Sequence, residues 1–340
     1  MTNLFVPPTL SEILDTAKRI FPYVQRTPTT RWSGGLIKSC FGASAEVHVK
    51  LELMQRTGSF KARGAINNAL ALTEQERRKG VAAVSAGNHA IAAAYAASCV
   101  GTSAKVVMLA SANPLRVAAA RDYGAEVIIA SDGPAGFALV EDIVNVEGRT
   151  FIHPFEGRRV TEATATCGLE FIEDAGALDA IIVPIGGGGL CSGIALAAKL
   201  ARHDCKVYGV EPVGSSVMTK SFSAGSPQRL SHSDTIADSL APPMTTPYAY
   251  AMCRQYVDEI VLVDDEQISA AAALLFREMK LAVEPAAAAA TAAAFGPLRS
   301  KLENKRIGII VCGANIDLEN YVKIVRGGFH SLDNNILGLV

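Results

Sequence analysis

The sequence predicts an α/β fold of two domains, each a mostly parallel twisted sheet flanked by helices. Two observations carry that expectation. Short apolar, β-rich runs alternate with alanine-rich helical stretches along most of the chain, the pattern of parallel strands covered by helices. The length of 340 residues, with 49% apolar content, can supply one large core or two modest ones, and the length favours two.

In chain order the strand-like runs are residues 46–51, 81–85, 104–109, 126–130, 180–185, 206–210 and 307–312. Three or four βα units of ordinary size fit between Gly80 and Phe155, so this stretch reads as a small inserted domain. The alanine-rich segment 91–99 follows one strand as a helix, and 191–200 follows another. Residues 214–250, rich in Ser, Pro and Thr with little periodicity, read as a long loop able to close over a ligand. Residues 269–295 read as two helices parted at Glu284-Pro285, because proline lacks an amide donor and disfavours helix at the residue before it. The run 286–290 is all alanine and reads as a helix packed closely on a sheet, although it also has the look of low complexity.

The bulk numbers remove several classes of function. With 32 basic and 33 acidic residues the net charge is −1, which favours neither nucleic acid nor an anionic membrane surface. Residues 180–198 carry no charge, but Pro184 and the glycines 186–189 would break a lipid-exposed helix. The first eight residues lack a basic stretch followed by an apolar one, so no secretory signal is expected and the protein is expected to be cytoplasmic. Seven scattered cysteines, with no C-x-x-C pair and no histidine at zinc spacing, fit reduced thiols, and no metal site is expected. A small-molecule ligand is the remaining expectation.

Four constellations carry chemistry. In Thr57-Gly58-Ser59-Phe60-Lys61-Ala62-Arg63-Gly64-Ala65 a lysine stands among small and apolar neighbours. An enclosed lysine loses its proton readily and can attack a carbonyl, but a lysine opening a helix also serves as ordinary surface. In Val183-Pro184-Ile185-Gly186-Gly187-Gly188-Gly189-Leu190 a buried strand runs through glycines into a helix. Exposed amides and the positive helix end suit a phosphate monoester, while a tight flexible turn explains the same residues blandly. The spacing is neither that of a nucleotide P-loop nor that of the dinucleotide fingerprint. Val84-Ser85-Ala86-Gly87-Asn88-His89-Ala90 offers hydroxyl, amide and backbone donors at a helix start, which suit a carboxylate or form a plain N-cap. Cys312, in Ile310-Val311-Cys312-Gly313-Ala314-Asn315, ends a strand where ligands sit in open α/β sheets, or is a core thiol.

Taken together and in this order, the four motifs resemble the pyridoxal-phosphate (PLP) enzymes of fold type II, the tryptophan-synthase-β-like family, and most closely its serine/threonine dehydratase and serine racemase branch. Further matches are Lys50-Leu51-Glu52, Tyr123-Gly124-Ala125-Glu126-Val127, His153-Pro154-Phe155, Gly209-Val210-Glu211-Pro212, Thr235-Ile236-Ala237-Asp238 and Val283-Glu284-Pro285. The resemblance spans nearly the whole chain. It implies a large PLP-binding domain of residues 1–53 and 157–340, a smaller, mobile, substrate-closing domain of residues 54–156, and PLP in the cleft between them. Lys61 would hold the cofactor as a Schiff base, Phe60 would pack on its ring, Asn88 would bond its 3-hydroxyl, and Gly186, Gly187, Gly188 and Gly189 would hold its phosphate. Cys312 would face the ring nitrogen, where a thiol cannot keep that nitrogen protonated, which favours prompt loss of a β-substituent. Ser85, Ala86, Gly87, Asn88 and His89 would receive the substrate carboxylate.

The implied reaction is dehydration of a β-hydroxy amino acid such as L-threonine or L-serine to a 2-oxo acid and ammonia, with Lys61 as general base. Racemases of this branch place a serine hydroxyl where Ala86 stands, so inversion is expected to be weak. The alternatives are a racemase or β-replacement enzyme on the same cofactor, or a dehydratase of 3-hydroxyaspartate or phenylserine. A non-enzymatic amino-acid or phosphate binder is the alternative of a different class. The resemblance also leads one to expect a homodimer. With no C-terminal regulatory domain expected, a catabolic role follows.

Three departures from the family pattern bear on the pocket. Glu162-Ala163-Thr164-Ala165-Thr166 replaces a glycine-rich segment and is expected to bring a carboxylate and side-chain bulk near the site. Glu211 stands where relatives bind a divalent cation, but the companion positions are Ser215 and Val217, and one carboxylate holds a hard cation poorly. Ser239 replaces a glycine and is expected to alter the pocket floor.

Overall fold

The computed structural model describes residues 5–338. Among them ten strands alternate with helices: β1 (Thr29–Trp32), β2 (Glu46–Leu51), β3 (Val81–Val84), β4 (Ala104–Leu109), β5 (Glu126–Ala130), β6 (Thr150–Phe151), β7 (Ala180–Pro184), β8 (Lys206–Pro212), β9 (Glu259–Val263) and β10 (Arg306–Val311). Six build a large sheet in the order β1-β2-β10-β7-β8-β9, parallel except for β1 against β2. Four build a small, wholly parallel sheet in the order β5-β4-β3-β6. The two-sheet, helix-flanked α/β class expected from the sequence is the observed one.

The inner strands show why they are apolar throughout. Every residue of β7 is buried, as parallel strands covered on both faces must be. The all-alanine stretch lies in the helix Pro285–Phe295, whose residues are all buried against the large sheet. Small side chains let that backbone approach closely. The helices Arg158–Ala175 and Gly189–Ala201 meet in a similar way, since a Cβ on Gly168 would lie 2.7 Å from Cβ of Ala197. The small sheet has a cluster on each face, and one of them also takes in Ile20 and Ala163.

Three strands fall outside the seven runs read from the sequence. β1 and β6 are too short for periodicity to show, and β9 is a partly exposed edge strand. Residues 214–250 are not one loop: Val217–Ala224 is helical. The carboxylate of Glu211, at the end of β8, accepts from the amides of Met218 (2.7 Å) and Thr219 (2.8 Å) and so caps that helix from outside it. The Ser221 and Ser223 hydroxyls bond back to the Val217 and Thr219 carbonyls, which satisfies them inside a helix whose composition reads as loop.

The carboxyl ends of β3, β7 and β10 each run into one of the turns singled out in the sequence. Ligands in open α/β sheets bind at such ends.

Candidate active site

Lys61 opens the helix Lys61–Ala69 after a reversal in which Thr57 (φ 68°) and Gly58 (φ 71°) take left-handed conformations. The Asn315 side-chain amide donates to the Thr57 carbonyl at 2.7 Å, and the Phe60 amide donates to the Cys312 carbonyl at 3.1 Å, tying the reversal to the end of β10. Nζ of Lys61 donates to the Pro154 carbonyl at 2.7 Å and lies 5.0 Å from the Phe60 ring centre. The side chain is half-buried and lines the cleft. Burial pushes its ammonium down to about 8 against the opposing pull of Cys312 and Glu284. A substantial neutral fraction near neutrality makes this amine a competent nucleophile or base.

Two residues after the lysine, Arg63 is fully buried. Its guanidinium grips Glu52 through Nε and Nη2 (both 2.8 Å) and Glu170 through Nη1 (2.8 Å) and Nη2 (2.7 Å). Glu170 also accepts from the buried Lys50 at 3.0 Å. This forked network joins β2, the lysine helix and the helix Arg158–Ala175, and fixes the direction in which Lys61 projects.

Gly186, Gly187 and Gly188 after β7, with Gly189 opening the helix Gly189–Ala201, form a cradle whose shape is imposed by neighbours. Gly188 has φ +101°, and a Cβ on Gly187 would sit inside the Phe155 ring. The first-turn amides of Gly189–Ala201 have no intrahelical partner, and the helix dipole points its positive end the same way. Phe60, Lys61, Asn88, Glu284 and Cys312 line the same hollow. An anion cradle, an amine of lowered pKa, a side-chain amide and an uncharged thiol thus converge, and this donor set fits PLP. Burial first, then Glu284, holds the Cys312 thiol well above its usual range, so it is neutral.

The turn after β3 supplies Ser85, Ala86, Gly87, Asn88 and His89, all of which line the adjoining cleft of about 180 Å³ together with Lys61. The Ser85 hydroxyl accepts from the Gly87 amide at 3.1 Å. Nδ2 of Asn88 donates to Glu284 at 2.8 and 3.0 Å and to the Ser239 hydroxyl at 3.3 Å, while its Oδ1 accepts from Asn315 at 2.7 Å. His89 Nε2 is bonded to the Ile152 carbonyl at 2.7 Å, and burial holds the ring neutral, its pKa down to about 3. Nε2 is thus taken by a carbonyl, while the His89 backbone amide lies in the first helical turn, where amides have no intrahelical partner.

Three residues outside the four constellations complete the site. Arg116, only 5% exposed, reaches from the helix Pro114–Asp122 to Asp238 (2.5 and 3.3 Å), Glu284 (3.5 Å) and the Asn315 carbonyl (2.7 Å). It lies against Gly87, where a Cβ would meet its Nη1 at 2.7 Å. Burial raises the Glu284 carboxyl to about 7, opposed by Arg116 and supported by Asp238. Asp238 and Glu284 lie within stretches that the family resemblance marks, whereas Arg116 stands in an alanine-rich segment with no motif around it.

The expectation for Glu162 is corrected. Its carboxylate accepts from Arg158 at 2.9 Å and lies 4.0 Å from Arg19, and it lines neither hollow. Two residues later in the helix is about 200° around its axis, and there Thr164 faces the site, donating to the Gly189 carbonyl at 2.8 Å. Ser239 does line both hollows. Among the described residues no group of three metal-ligating side chains gathers, and both Glu211 oxygens are engaged as the helix cap, with burial raising that carboxyl to about 7. All seven cysteines are free thiols, and no helix among the described residues is long and apolar enough to cross a membrane.

Residues 20–313 match the family model described as pyridoxal-phosphate dependent enzyme. The chain is 48% identical over 318 residues to a phenylserine dehydratase of Ralstonia pickettii, covering 93% of this chain and 96% of that protein. It is 38% identical over 321 residues to a catabolic L-threonine dehydratase of Escherichia coli, covering 94% and 96%. Its structure superposes on that of maize serine racemase with a TM-score of 0.87 at 33% identity, covering 94% and 98%.

Proposed function

This chain belongs to the pyridoxal-phosphate dependent enzymes, and from that premise we propose that it dehydrates a β-hydroxy amino acid to a 2-oxo acid and ammonia, with Lys61 as the reacting amine. The observation that carries the reading is the place of Lys61 Nζ: an amine of lowered pKa at the junction of an anion cradle and a cleft with carboxylate-type donors.

The same geometry supports the individual roles. Gly186 to Gly189 would hold the cofactor phosphate, and Phe60, Asn88 and the neutral Cys312 thiol, which line the same hollow, would hold its ring. Bound PLP supplies a carbonyl for the amino group and an electron sink that acidifies the substrate Cα–H. Ser85, with the backbone amides of residues 86–89, receives the substrate carboxylate and fixes which Cα bond faces Lys61. Lys61 Nζ would take that proton, and its depressed basicity suits both accepting and releasing it near neutral pH. Ala86 carries no proton to return from the other side, which favours elimination over inversion.

Val84, Leu109, Phe137, Phe155 and Pro242 give the cleft an apolar part of its lining. We infer from this a preference for an aryl β-substituent, in line with the phenylserine dehydratase relative. Residues 54–156 are read as the part that closes on the substrate, with 1–53 and 157–340 as the cofactor-holding part. A homodimer in the cytoplasm belongs to the same reading, supported by the family likeness and the free thiols. The test is a panel of phenylserine, threonine, serine and 3-hydroxyaspartate given to the PLP-loaded enzyme. Release of 2-oxo acid and ammonia is expected, greatest with phenylserine; inverted amino acid without ammonia overturns the reading.

A further inference from the structure

The cleft beside Lys61 is mixed in chemistry, and its polar and apolar parts come largely from different elements. Its polar lining is Lys61, the turn after β3, Arg116, Asp238 and Ser239. On the small-sheet side the remaining lining is Val84 at the end of β3, Leu109 at the end of β4, and Gly133 and Phe137 in the helix Gly133–Glu147, which follows β5. Because β5, β4 and β3 are adjacent in that order, these four residues come from three neighbouring strand ends.

The helix meets the two strand ends at one position. A Cβ on Gly136 would lie 3.3 Å from Cδ2 of Leu109 and 3.3 Å from Cγ2 of Val84, so the missing side chain lets the helix sit directly on both. Asp132 fixes where the helix starts, its side chain accepting from the Ala135 amide at 2.8 Å. Gly133 and Phe137 are four residues apart and therefore share one face of this helix. Both line the cleft, but they offer it opposite things. Gly133 has no left-handed φ that would require glycine, and a Cβ built on it meets no atom within 4 Å. Neither a turn nor close packing explains the missing side chain, which leaves volume open. Phe137 is half-buried: it packs on the cluster that holds Val84 and Val140 and still lines the cleft. Residues 131–140 also lie outside the stretches that match the serine/threonine dehydratase and serine racemase branch, which stop at Val127 and resume at His153. A substrate choice particular to this chain has room to be written there.

We propose that the first turns of the helix Gly133–Glu147 read an aryl β-substituent, with Gly133 leaving space for the ring and Phe137 flanking it. The inference rests on the dehydratase reading above and names the residues through which that site selects an aromatic side chain. Aromatic pairs gain beyond the area they bury. Filling or emptying an apolar pocket by as little as one methylene shifts discrimination by about 10–200-fold.

The experiment uses PLP-loaded enzyme and two amino acids that lack the β-hydroxyl, L-phenylalanine and L-2-aminobutyrate. Their dissociation constants are measured by calorimetry in the wild type, Gly133→Leu, Phe137→Ala and Phe137→Leu. Gly133→Leu, which fills the open volume, is expected to weaken L-phenylalanine about tenfold or more. Phe137→Ala should weaken it about tenfold, and Phe137→Leu, which keeps apolar bulk but no ring, about threefold. L-2-Aminobutyrate, with its short side chain, should change by less than about threefold in every variant. Unchanged L-phenylalanine affinity in Gly133→Leu or in Phe137→Ala, or losses of equal size for both amino acids, overturns the proposal. Gly133→Leu keeps the test open should Phe137→Ala, which also touches the core, fail to fold. Turnover by the wild type separates the two levels: release of 2-oxo acid and ammonia from no β-hydroxy amino acid overturns the dehydratase reading. A working wild type whose variants bind both amino acids as before overturns the Gly133 and Phe137 assignment alone.

Discussion

Two clusters of buried charge flank Lys61, and they are built to opposite specifications. Behind it, Arg63, Glu52, Glu170 and Lys50 are forked together, with Arg63, Glu52 and Lys50 wholly shielded from solvent. In front, Arg116, Glu284, Asn88 and Asp238 meet across the cleft between the two sheets, with Asp238 half-exposed. The carboxylates report the contrast. Despite complete burial, Glu52 is held below its usual range by Arg63, whereas burial lifts Glu284 to about 7 because Arg116 lies 3.5 Å away and shares its charge with Asp238. The rear cluster is saturated and can only hold; the front one is poised and can exchange partners.

Breaking the working side should cost most. Lys61→Ala is expected to lower 2-oxo acid formation on the order of 10³-fold or more, while denaturant unfolding shows the rear cluster intact. Next in size is Arg63→Met, which leaves Glu52 and Glu170 buried without their partner. A loss of about 3–5 kcal/mol in denaturant unfolding is expected, and a loss below 1 kcal/mol would show that the rear cluster is not the clamp described here.

The two carboxylates should also have opposite pH signatures. Glu284 binds its proton more tightly folded than unfolded, so between its ordinary value of 4.5 and about 7 the native state holds more protons and stability falls as pH rises. Subtracting the Glu284→Gln curve should isolate a fall of at most about 3 kcal/mol across that window. Glu52 has the reverse sign: its contribution is present above 4.5 and is lost as pH drops through its lowered folded value. Wild type minus Glu52→Gln should therefore slope only on the acid side, and two parallel slopes would erase the distinction. The smallest effect is expected from Ser239→Gly, since the Asn88–Ser239 bond is long at 3.3 Å and Asn88 keeps Glu284 and Asn315. Less than about 1 kcal/mol, under fivefold in kcat/KM, should register.

What the sequence made legible was whatever lies contiguously along it. The glycine turn, the Ser85–His89 turn and the Lys61 reversal are each one segment, and each appears as a unit at a strand end or helix start. The front cluster was not legible as a cluster, because Arg116, Asp238 and Glu284 come from three segments that only the packing of two sheets brings together. The rear one hid for a related reason: Lys50, Glu52 and Arg63 all lie in the marked stretches, but Glu170, which Lys50 and Arg63 share, is more than a hundred residues away. Glu162 misled because nearness in sequence is not nearness on a helix; its face meets Arg158 and Arg19 while Thr164 meets the cradle. The helix Val217–Ala224 escaped composition because its cap, Glu211, comes from the preceding strand.

The four glycines of the cradle are not four copies of one requirement. An added Cβ would lie 3.2 Å from the Ser239 carbonyl at Gly186, against the Phe155 ring at Gly187, 2.7 Å from the Met218 methyl at Gly188 and 2.8 Å from the Phe155 backbone at Gly189. A population of variants under selection would therefore meet four different constraints in a row. Alanine should survive at 186 with a few tenths of an ångström of yielding, be rescued at 187 only by a smaller residue at 155, and be refused at 188 and 189. That graded pattern of permitted histories is written into a run of sequence that looks, letter by letter, uniform.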